Sequence, residues 1–299
     1  MKEMKKCLLV LVSILLLNEA VSQKVVNVAT QRFEEQTPFK PGSSLKLDLE
    51  KVHVSVSGHD KNSYEFQITF KSKHKDEKQA IKELGFVSYQ LRQENDTLYF
   101  SNDFANGDSF RKIQGILSVE LEIKAPRSSD IVIGNAYGTT QIKDITASLV
   151  VNGKFVETSI EQCEGPVSLR AVFGELLIQN HTGDLDLDLS RVNLRGDRIR
   201  GNISGVTNYG AVEISRLQTK DVEIDARKTA FSLTLANYSL PTYNLDLVSQ
   251  LGSIHLEGGI NKKTSNQWKS EGTSDATIRI VTSFSPILIK DGSLNARNE

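Results

Sequence analysis

The sequence predicts an all-β protein: a parallel β-solenoid with about 18 residues per coil, preceded by a short β-rich N-terminal region with one helix. Three observations lead to this prediction. A six-residue unit recurs every 18 residues, apolar residues alternate with polar ones inside each unit, and small residues recur at fixed positions. Short alternating strands at a fixed period are typical of stacked coils, whereas helical repeats need about 33 residues or more per unit.

The repeat is clearest over five consecutive units, which read YGTTQI, FVETSI, FGELLI, RVNLRG and YGAVEI. They begin at Tyr137, Phe155, Phe173, Arg191 and Tyr209. We number the first residue of each unit as position 1; positions 9, 13 and 15 are then mainly apolar and position 11 is mainly small. An alternation of two residues is the period of a strand. Looser copies begin at Lys51, Lys228, Leu251 and Phe284.

The first half of the chain is less regular. Alternating polarity predicts strands over 45–56, 64–70, 86–91, 97–100 and 117–123. The charged stretch 76–84 predicts the one helix. Residues 130–133 fit one coil before the first clear unit, so the sequence predicts an N-terminal region over 23–125 that runs without a linker into a solenoid over 126–299. The stretch 258–274, which contains Trp268, is predicted to be a protruding loop.

The N-terminus is typical of a signal peptide over 1–22. Lys2, Lys5 and Lys6 precede an apolar run over 7–17, and small residues at Ala20 and Ser22 mark a cleavage site. Eleven apolar residues are too few for a membrane-spanning helix, which needs about 20. The mature chain is therefore predicted to be exported, with no membrane span once the signal is removed. A retained N-terminal anchor is the alternative.

Composition narrows the class and the compartment. The 299 residues include 36 basic and 37 acidic side chains, a formal charge of −1, which argues against a nucleic-acid partner. After removal of the signal peptide only Cys163 remains, so an intramolecular disulfide is excluded. A large exported domain without disulfides fits a bacterial periplasm or cell surface.

Two stretches carry a family resemblance: LKLDLEKVHVSVSGHDKNS over 45–63, and the run from Ala125 and Pro126 into GNAYGTTQI and GDLDLDLSRVNLRG. They resemble a family of exported bacterial proteins that carry an adhesin label and whose domain is otherwise of unknown function. The resemblance implies a short β region with one helix, a solenoid of glycine-marked strands, and a cell-envelope or surface location. It implies no catalytic residues.

The candidate carboxylates are Asp184, Asp186 and Asp188, which alternate with leucines. They fail the EF-hand pattern, because its glycine and glutamate positions hold Leu189 and Arg195. On a strand they lie about 6.6–7 Å apart, too wide for one metal cage but compatible with a polysaccharide-acting enzyme. The register predicts Arg170 beside Asp188 and serines beside Asp186, which favours a solvated strand face.

Three other residues have two interpretations each. Cys163 and His181 share position 9 with Ile145 and Ile199, so the sequence predicts a buried thiol and a partly buried, hydrogen-bonded imidazole. A reactive thiol or a metal ligand is the alternative, although the histidines lack zinc-site spacing. Arg191 either makes cation–π contacts with the rings above and below it or turns to solvent.

Together these patterns predict an exported, non-enzymatic cell-envelope or surface protein, adhesin-like, that binds glycan or an envelope protein through a solenoid face. The candidate binding residues are Asp184, Asp186, Asp188, Arg170 and Trp268. We expect no catalytic residue, metal or cofactor. The alternatives are a polysaccharide-acting enzyme that uses the aspartate row, and a periplasmic partner in envelope sensing.

Overall fold

The computed structural model describes residues 26–104, 113–236, 242–257 and 266–291. These residues form 18 strands in one hydrogen-bonded sheet and one helix, so the prediction of an all-β protein with a single helix is confirmed. The predicted signal peptide lies outside the described residues. The division of the remaining chain at residue 125 stays a prediction.

The N-terminal region contains seven strands and the helix α1. The strands are β1 (Asn27–Pro38), β2 (Ser44–Glu50), β3 (Val52–His59), β4 (Ser63–His74), β5 (Val87–Glu94), β6 (Thr97–Phe104) and β7 (Ile116–Pro126). Helix α1 spans Glu77–Leu84, and Asp76 caps it by accepting hydrogen bonds from the N–H groups of Lys78 and Gln79 at 2.8 and 3.3 Å. No helix in the described ranges has the length and hydrophobicity to cross a bilayer.

Six strands form the part of the molecule that we call the central stack. They are β8 (Asp130–Lys143), β9 (Leu149–Glu161), β10 (Val167–Thr182), β11 (Leu185–Arg200), β12 (Ile203–Leu217) and β13 (Asp221–Leu235). Each pairs in parallel with the next; Val167 on β10, for example, lies between Leu149 and Leu185. The shift from one strand to the next is 18 residues from β8 to β12; from β12 to β13 it is 19 up to Ile214 and returns to 18 at the pair Leu217–Leu235. This register agrees with the predicted stacking of units.

The units bend at residues with left-handed backbone geometry. At position 1 of each unit φ lies between 51° and 61°, and at position 8 of the five units from Tyr137 to Tyr209 it lies between 52° and 60°. A single such residue shifts the side-chain alternation by one place. On β9 the buried residues are therefore Leu149 and Val151 before Phe155, and Val156, Thr158 and Ile160 after it. Position 1 itself points outward.

The strands that follow the central stack are β14 (Asn244–Gln250), β15 (Ile254–Glu257), β16 (Gln267–Ser270), β17 (Thr277–Ser283) and β18 (Ile287–Asp291). They do not stack in chain order. Strand β13 pairs with β17 and β18, and these pair on their other side with β14 and β15. The unit at Phe284 thus lies directly on the unit at Lys228, and the unit at Leu251 lies outside it.

At the start of the stack, too, the strands do not pair in chain order. Strands β2 and β3 pair in parallel with β8 on one side, and with β6 and β7 on the other. The pairs Glu50–Ala136 and His53–Thr139 place Lys51 directly beside Tyr137. The early copy of the repeat at Lys51 therefore belongs to the stack, although 86 residues separate the two units in sequence.

One apolar core runs through the whole assembly. It is continuous from Phe39 and Leu45 near the N-terminus to Ile287 and Ile289 in β18. The predicted loop over 258–274 is wrong for part of its length, because Gln267–Ser270 forms β16, antiparallel to β14. The remainder of that prediction includes 258–265, which lies outside the described residues.

Candidate functional site

Asp186 and Asp188 of the candidate row lie on β11, and Asp184 directly precedes that strand; all three are exposed, whereas Leu185, Leu187 and Leu189 between and beyond them are buried. The predicted solvated strand face is what the structure places here. Because the carboxylates alternate along one extended segment, neighbouring ones are about 6.6–7 Å apart at their Cα atoms. No group of three or more histidine, cysteine, aspartate or glutamate side chains in the described residues is arranged to hold a metal ion.

The Asp184 carboxylate is hydrogen-bonded to the next unit of the stack. Its Oδ1 accepts a hydrogen bond at 2.8 Å from the backbone N–H of Asn202. The same contact recurs where Asp130 accepts from the N–H of Ser148 at 3.1 Å, and where the Asn202 amide oxygen accepts from the N–H of Asp221 at 3.1 Å. Position 12 thus repeatedly holds the backbone of the following unit, which gives Asp184 a structural role.

The other two aspartates differ in their surroundings. Asp186 accepts a hydrogen bond from the Ser168 hydroxyl at 3.1 Å. Asp188 lies between Arg170 and Val206 in register, and within the described part of the chain no ion pair joins it to Arg170. The row therefore contains one carboxylate used by the backbone, one used by a serine, and one that faces solvent. It does not converge on a common point.

Trp268 lies in β16 opposite Leu247, half-buried against the apolar core, and its indole N–H donates to the Ser270 hydroxyl at 3.4 Å. It is distant in register from the aspartate row, because β11 and β14 are separated by β12, β13 and β17. The structure therefore does not bring Trp268 together with Asp184, Asp186, Asp188 or Arg170.

Cys163 and His181 are adjacent members of the position 9 column, and both are buried. Burial raises the pKa of the Cys163 thiol, and its Sγ donates to the Glu161 carbonyl at 3.3 Å. Burial lowers the pKa of His181, and the backbone of Cys163 and Gly183 partly offsets this. Neither ring nitrogen of His181 has full hydrogen-bond geometry with a described residue, although the backbone of Cys163 and Gly183 lies close enough to influence its pKa, so the predicted well-formed hydrogen bond of the imidazole is not found.

A second, larger feature is formed by the position 1 column. We call it the ladder. In stacking order its members are Lys51, Tyr137, Phe155, Phe173, Arg191, Tyr209, Lys228 and Phe284, and the buried Phe104 ring lies 5.3 Å from Lys51 Nζ at its N-terminal end. At about 4.8 Å for each of its seven steps, the ladder is about 34 Å long. It follows one outer corner of the stacked units from the N-terminal region to β17 and β18.

The contacts along the ladder are regular. The rings of Tyr137 and Phe155 are 5.2 Å apart and 7° from parallel, and those of Phe155 and Phe173 are 4.8 Å apart and 5° from parallel. The Arg191 guanidinium lies 5.0 Å from the Phe173 ring and 5.4 Å from the Tyr209 ring, so the cation–π interpretation of Arg191 is confirmed. Lys228 Nζ continues the pattern, 5.4 Å from Tyr209 and 5.6 Å from the Phe284 ring.

The local backbone explains why this column stands outside the core. Left-handed geometry costs a residue other than glycine about 1–2 kcal/mol. Ring stacking contributes about 0.5–1.5 kcal/mol and a cation–π contact about 0.5–2 kcal/mol. The ladder contacts therefore offset a strain of similar size at position 1, which is why large aromatic or cationic side chains occupy a column where glycine or asparagine would be expected.

The column before the ladder adds charge to the same corner. Position 18 holds Glu50, Ala136, Lys154, Val172, Ser190, Asn208 and Arg227. We call the ladder and this column together the ridge. In the sequence the ladder is visible as the aromatic or cationic residue that begins each unit. That this column forms a surface follows only from the outward turn of the backbone at position 1.

A groove of about 540 Å³ lies at the other end of the described stack, where β12 and β13 meet β18 and β15. Its lining includes the apolar residues Ala211, Ala230 and Leu288 and the polar residues Glu213 and His255. The His255 ring Nε2 is 3.0 Å from the Ser253 hydroxyl. These groups offer an apolar surface with polar groups beside it.

No family model matches the chain, and no curated protein matches its sequence. Solved structures to which the chain is similar include a proposed cell adhesion protein from Clostridium sporogenes, with 14% identity, a TM-score of 0.26, and coverage of 87% of this chain and 100% of that one. A proposed lipid-binding protein from Parabacteroides distasonis has 9% identity, a TM-score of 0.35, and coverage of 89% and 96%.

A proposed adhesin from Parabacteroides merdae has 8% identity, a TM-score of 0.33, and coverage of 87% of this chain and 96% of that one. Since none of these TM-scores exceeds 0.35, the likenesses define neither the fold nor the function of this chain.

Proposed function

We propose that this chain is an exported, non-enzymatic protein of the cell envelope or cell surface that binds glycan or protein through one face of a β-solenoid. In this proposal each 18-residue unit of the central stack is one coil. The observation that carries it is the continuous outer surface that the in-register strands β8–β13 present, on which each position forms a straight column. Stacked coils of this kind provide extended binding surfaces.

The hydrogen bonds of the aspartate row support binding over catalysis. A retaining or inverting glycosidase needs two carboxylates on opposite sides of one bond, about 5–9.5 Å apart and free to exchange protons. Asp184 instead holds the Asn202 backbone, and Asp186 holds the Ser168 hydroxyl. Two of the three carboxylates are therefore used to hold neighbouring units together.

The test is to profile the purified protein on a glycan array and by pull-down from envelope extracts, and to assay cleavage of every glycan that binds. We expect binding without cleavage. Cleavage that is lost in the variant Asp184→Asn, Asp186→Asn, Asp188→Asn, with the fold retained by circular dichroism, would establish the enzyme and overturn the proposal. Absence of any glycan or protein partner would also overturn it.

A further inference from the structure

The ridge is basic on a chain whose formal charge is −1. It carries five cations, Lys51, Lys154, Arg191, Arg227 and Lys228, and one carboxylate, Glu50, so its net charge is five minus one, or +4. Glu50 forms an ion pair with Lys51 at 3.4 Å. The other four cations are exposed, and they make no ion pair with any carboxylate that the structure describes.

The carboxylates nearest to the ridge stand beside it. Asp188 and Asp225 lie three positions before the ladder, and Glu157 and Glu175 lie two positions after it. Asp225 is already paired with Arg279 at 2.9 Å. Acidic side chains thus border the ridge on both strand faces, and the cations are concentrated on its crest.

The stacking of the rings determines which groups of the ridge can contact a ligand. In the run Tyr137, Phe155 and Phe173 the rings cover one another at about 5 Å, and Arg191 covers the other face of Phe173. A sugar therefore has no free ring face to stack on at Phe155 and Phe173. What points outward is the ring edges, which carry partial positive charge. Ring edges and cationic heads together attract anions and give no advantage to neutral sugars.

The shape of the crest favours a linear partner. The cationic side chains occur in two adjacent straight columns, and Arg191 and Lys228 stand two steps, about 9.6 Å, apart with Tyr209 between them. An anionic polysaccharide presents carboxylate, phosphate or sulfate groups at regular intervals along an extended chain. A membrane surface would instead be met by apolar side chains that insert among the lipids, and the stacked rings already cover one another.

We infer that the ridge is a binding site for a linear anionic polysaccharide, which lies along the ladder with its acidic groups on Lys154, Arg191, Arg227 and Lys228. This inference rests on the proposed binding function and names its surface and its ligand class. Binding is electrostatic in the main, so it weakens as salt is added.

The ridge variant for testing this site replaces each cation with a residue that the chain itself uses in the same column: Arg191→Tyr and Lys228→Tyr, as in Tyr209, Lys154→Ser, as in Ser190, and Arg227→Asn, as in Asn208. Stacking is retained and four positive charges are lost. The matched control removes four cations from the opposite corner and the adjoining face in the same way. Its substitutions are Lys143→Gln, Arg195→Ser, Arg198→Gln and Arg200→Thr, after Gln179, Ser159, Gln162 and Thr182.

Binding is measured by calorimetry with polygalacturonate as the probe, with neutral dextran and vesicles rich in phosphatidylglycerol alongside. We expect wild type to bind polygalacturonate and not dextran, with affinity that falls as sodium chloride is added. The ridge variant should lose at least about tenfold in affinity, and the control should stay within about threefold of wild type. Circular dichroism and a thermal melt verify that both variants fold.

Three outcomes overturn the inference: no binding of polygalacturonate by wild type, equal losses in the ridge and control variants, or ridge-dependent binding to vesicles alone, which would identify a lipid surface. These failures are separate from failure of the proposed function. A neutral glycan or a protein found by array or pull-down, with affinity unchanged in the ridge variant, would keep the function and discard this site.

Discussion

The central stack and the N-terminal region extend the same sheet by different means. In the central stack one unit repeats, every pair of strands is parallel, and each residue contacts its equivalent in the neighbouring unit. In the N-terminal region β1, β4 and β5 pair antiparallel to their neighbours, and contacts join residues that have no equivalents. Its core contains ring pairs such as Phe66–Phe100, 5.8 Å apart, and Tyr89–Phe100, 5.7 Å apart.

The difference teaches that stability is distributed in one region and concentrated in the other. A stack of similar units spreads its energy over many like contacts, approximately as a sum of nearest-neighbour terms. The N-terminal region instead depends on single groups with several partners. Glu83 is the clearest of these, because its buried carboxylate accepts four hydrogen bonds, from Ser72, Gln79 and the backbone N–H groups of Gln114 and Gly115.

The largest effect is expected at Glu83. Replacing it with alanine removes the acceptor shared by four donors around helix α1 and should cost about 3 kcal/mol of unfolding free energy. Glu77→Ala on the exposed side of the same helix is the control and should cost less than about 1 kcal/mol. Urea denaturation measures both, and hydrogen exchange should show opening near residues 77–84 with β9–β12 still protected.

The same carboxyl sets a pH window for the N-terminal region. Burial alone would raise the pKa of Glu83, but the hydrogen bonds from Gln114, Ser72, Gln79 and Gly115 outweigh it, so the pKa lies below 4.5. Its contribution is therefore present above pH 4.5 and is lost as pH falls through the lowered value. A loss of protection that spread equally into the central stack would contradict the separation of the two regions.

A smaller effect is expected from Gly183→Ala in the central stack. Position 11 holds alanine at Ala147, so the repeat alone predicts that alanine is tolerated. However, Gly183 has φ of 150°, and an added Cβ would stand 2.0 Å from the Gly165 carbonyl oxygen. We expect urea denaturation to show a loss of about 2 kcal/mol of unfolding free energy, because the backbone around residue 183 must move to relieve this contact. Ala147→Gly is the control, with a cost of about 1 kcal/mol or less; equal costs would show that the repeat outweighs the local backbone.

The smallest effect is a pH dependence in the central stack from His181. Burial lowers the pKa of His181 below 6.5. At pH values between the folded and the unfolded pKa, His181 is therefore protonated in the unfolded chain and neutral in the folded chain. The contribution of neutral His181 to the free energy of unfolding is therefore fully present above pH 6.5. It decreases as pH falls below 6.5, by at most about 1.4 kcal/mol per pH unit. Chemical denaturation at pH 7.5 and 5.5 measures the loss. His181→Ile, after Ile145 and Ile199, should abolish it, and an unchanged slope in this variant would assign the effect elsewhere.

The column assignments in the central stack could be predicted because they depend only on local periodicity. The apolar columns through Leu185 and Leu187, the burial of Cys163, and the stacking of Phe155 on Phe173 all follow from an 18-residue period and a strand alternation. Helix α1 was predicted within one residue, because its charged stretch and the Asp76 cap are local signals. The aspartate row was likewise predicted to face solvent.

The rest depends on contacts between distant segments. The placement of the Phe284 unit against the Lys228 unit, ahead of the Leu251 unit, is decided by which edge β17 and β18 can pair with. The hydrogen bonds of Glu83 to Gln114 and Gly115 span about 30 residues of chain. His181 lacks the predicted well-formed hydrogen bond in the folded stack. Each outcome depends on pairing between segments that are distant in the chain, and the 18-residue period of the sequence does not specify that pairing.

The sequence by itself therefore determined the repeat, the all-β class, the alternation of core and surface, and the identity of the residues that stand in each column. Only the tertiary structure decided that position 1 turns outward, that Arg191 and Lys228 continue the stack of rings, and that Lys154 and Arg227 join them on one crest. The physical reason is that a single left-handed residue reverses the inward and outward faces of a strand, and this reversal is a property of the backbone that the side-chain pattern does not specify.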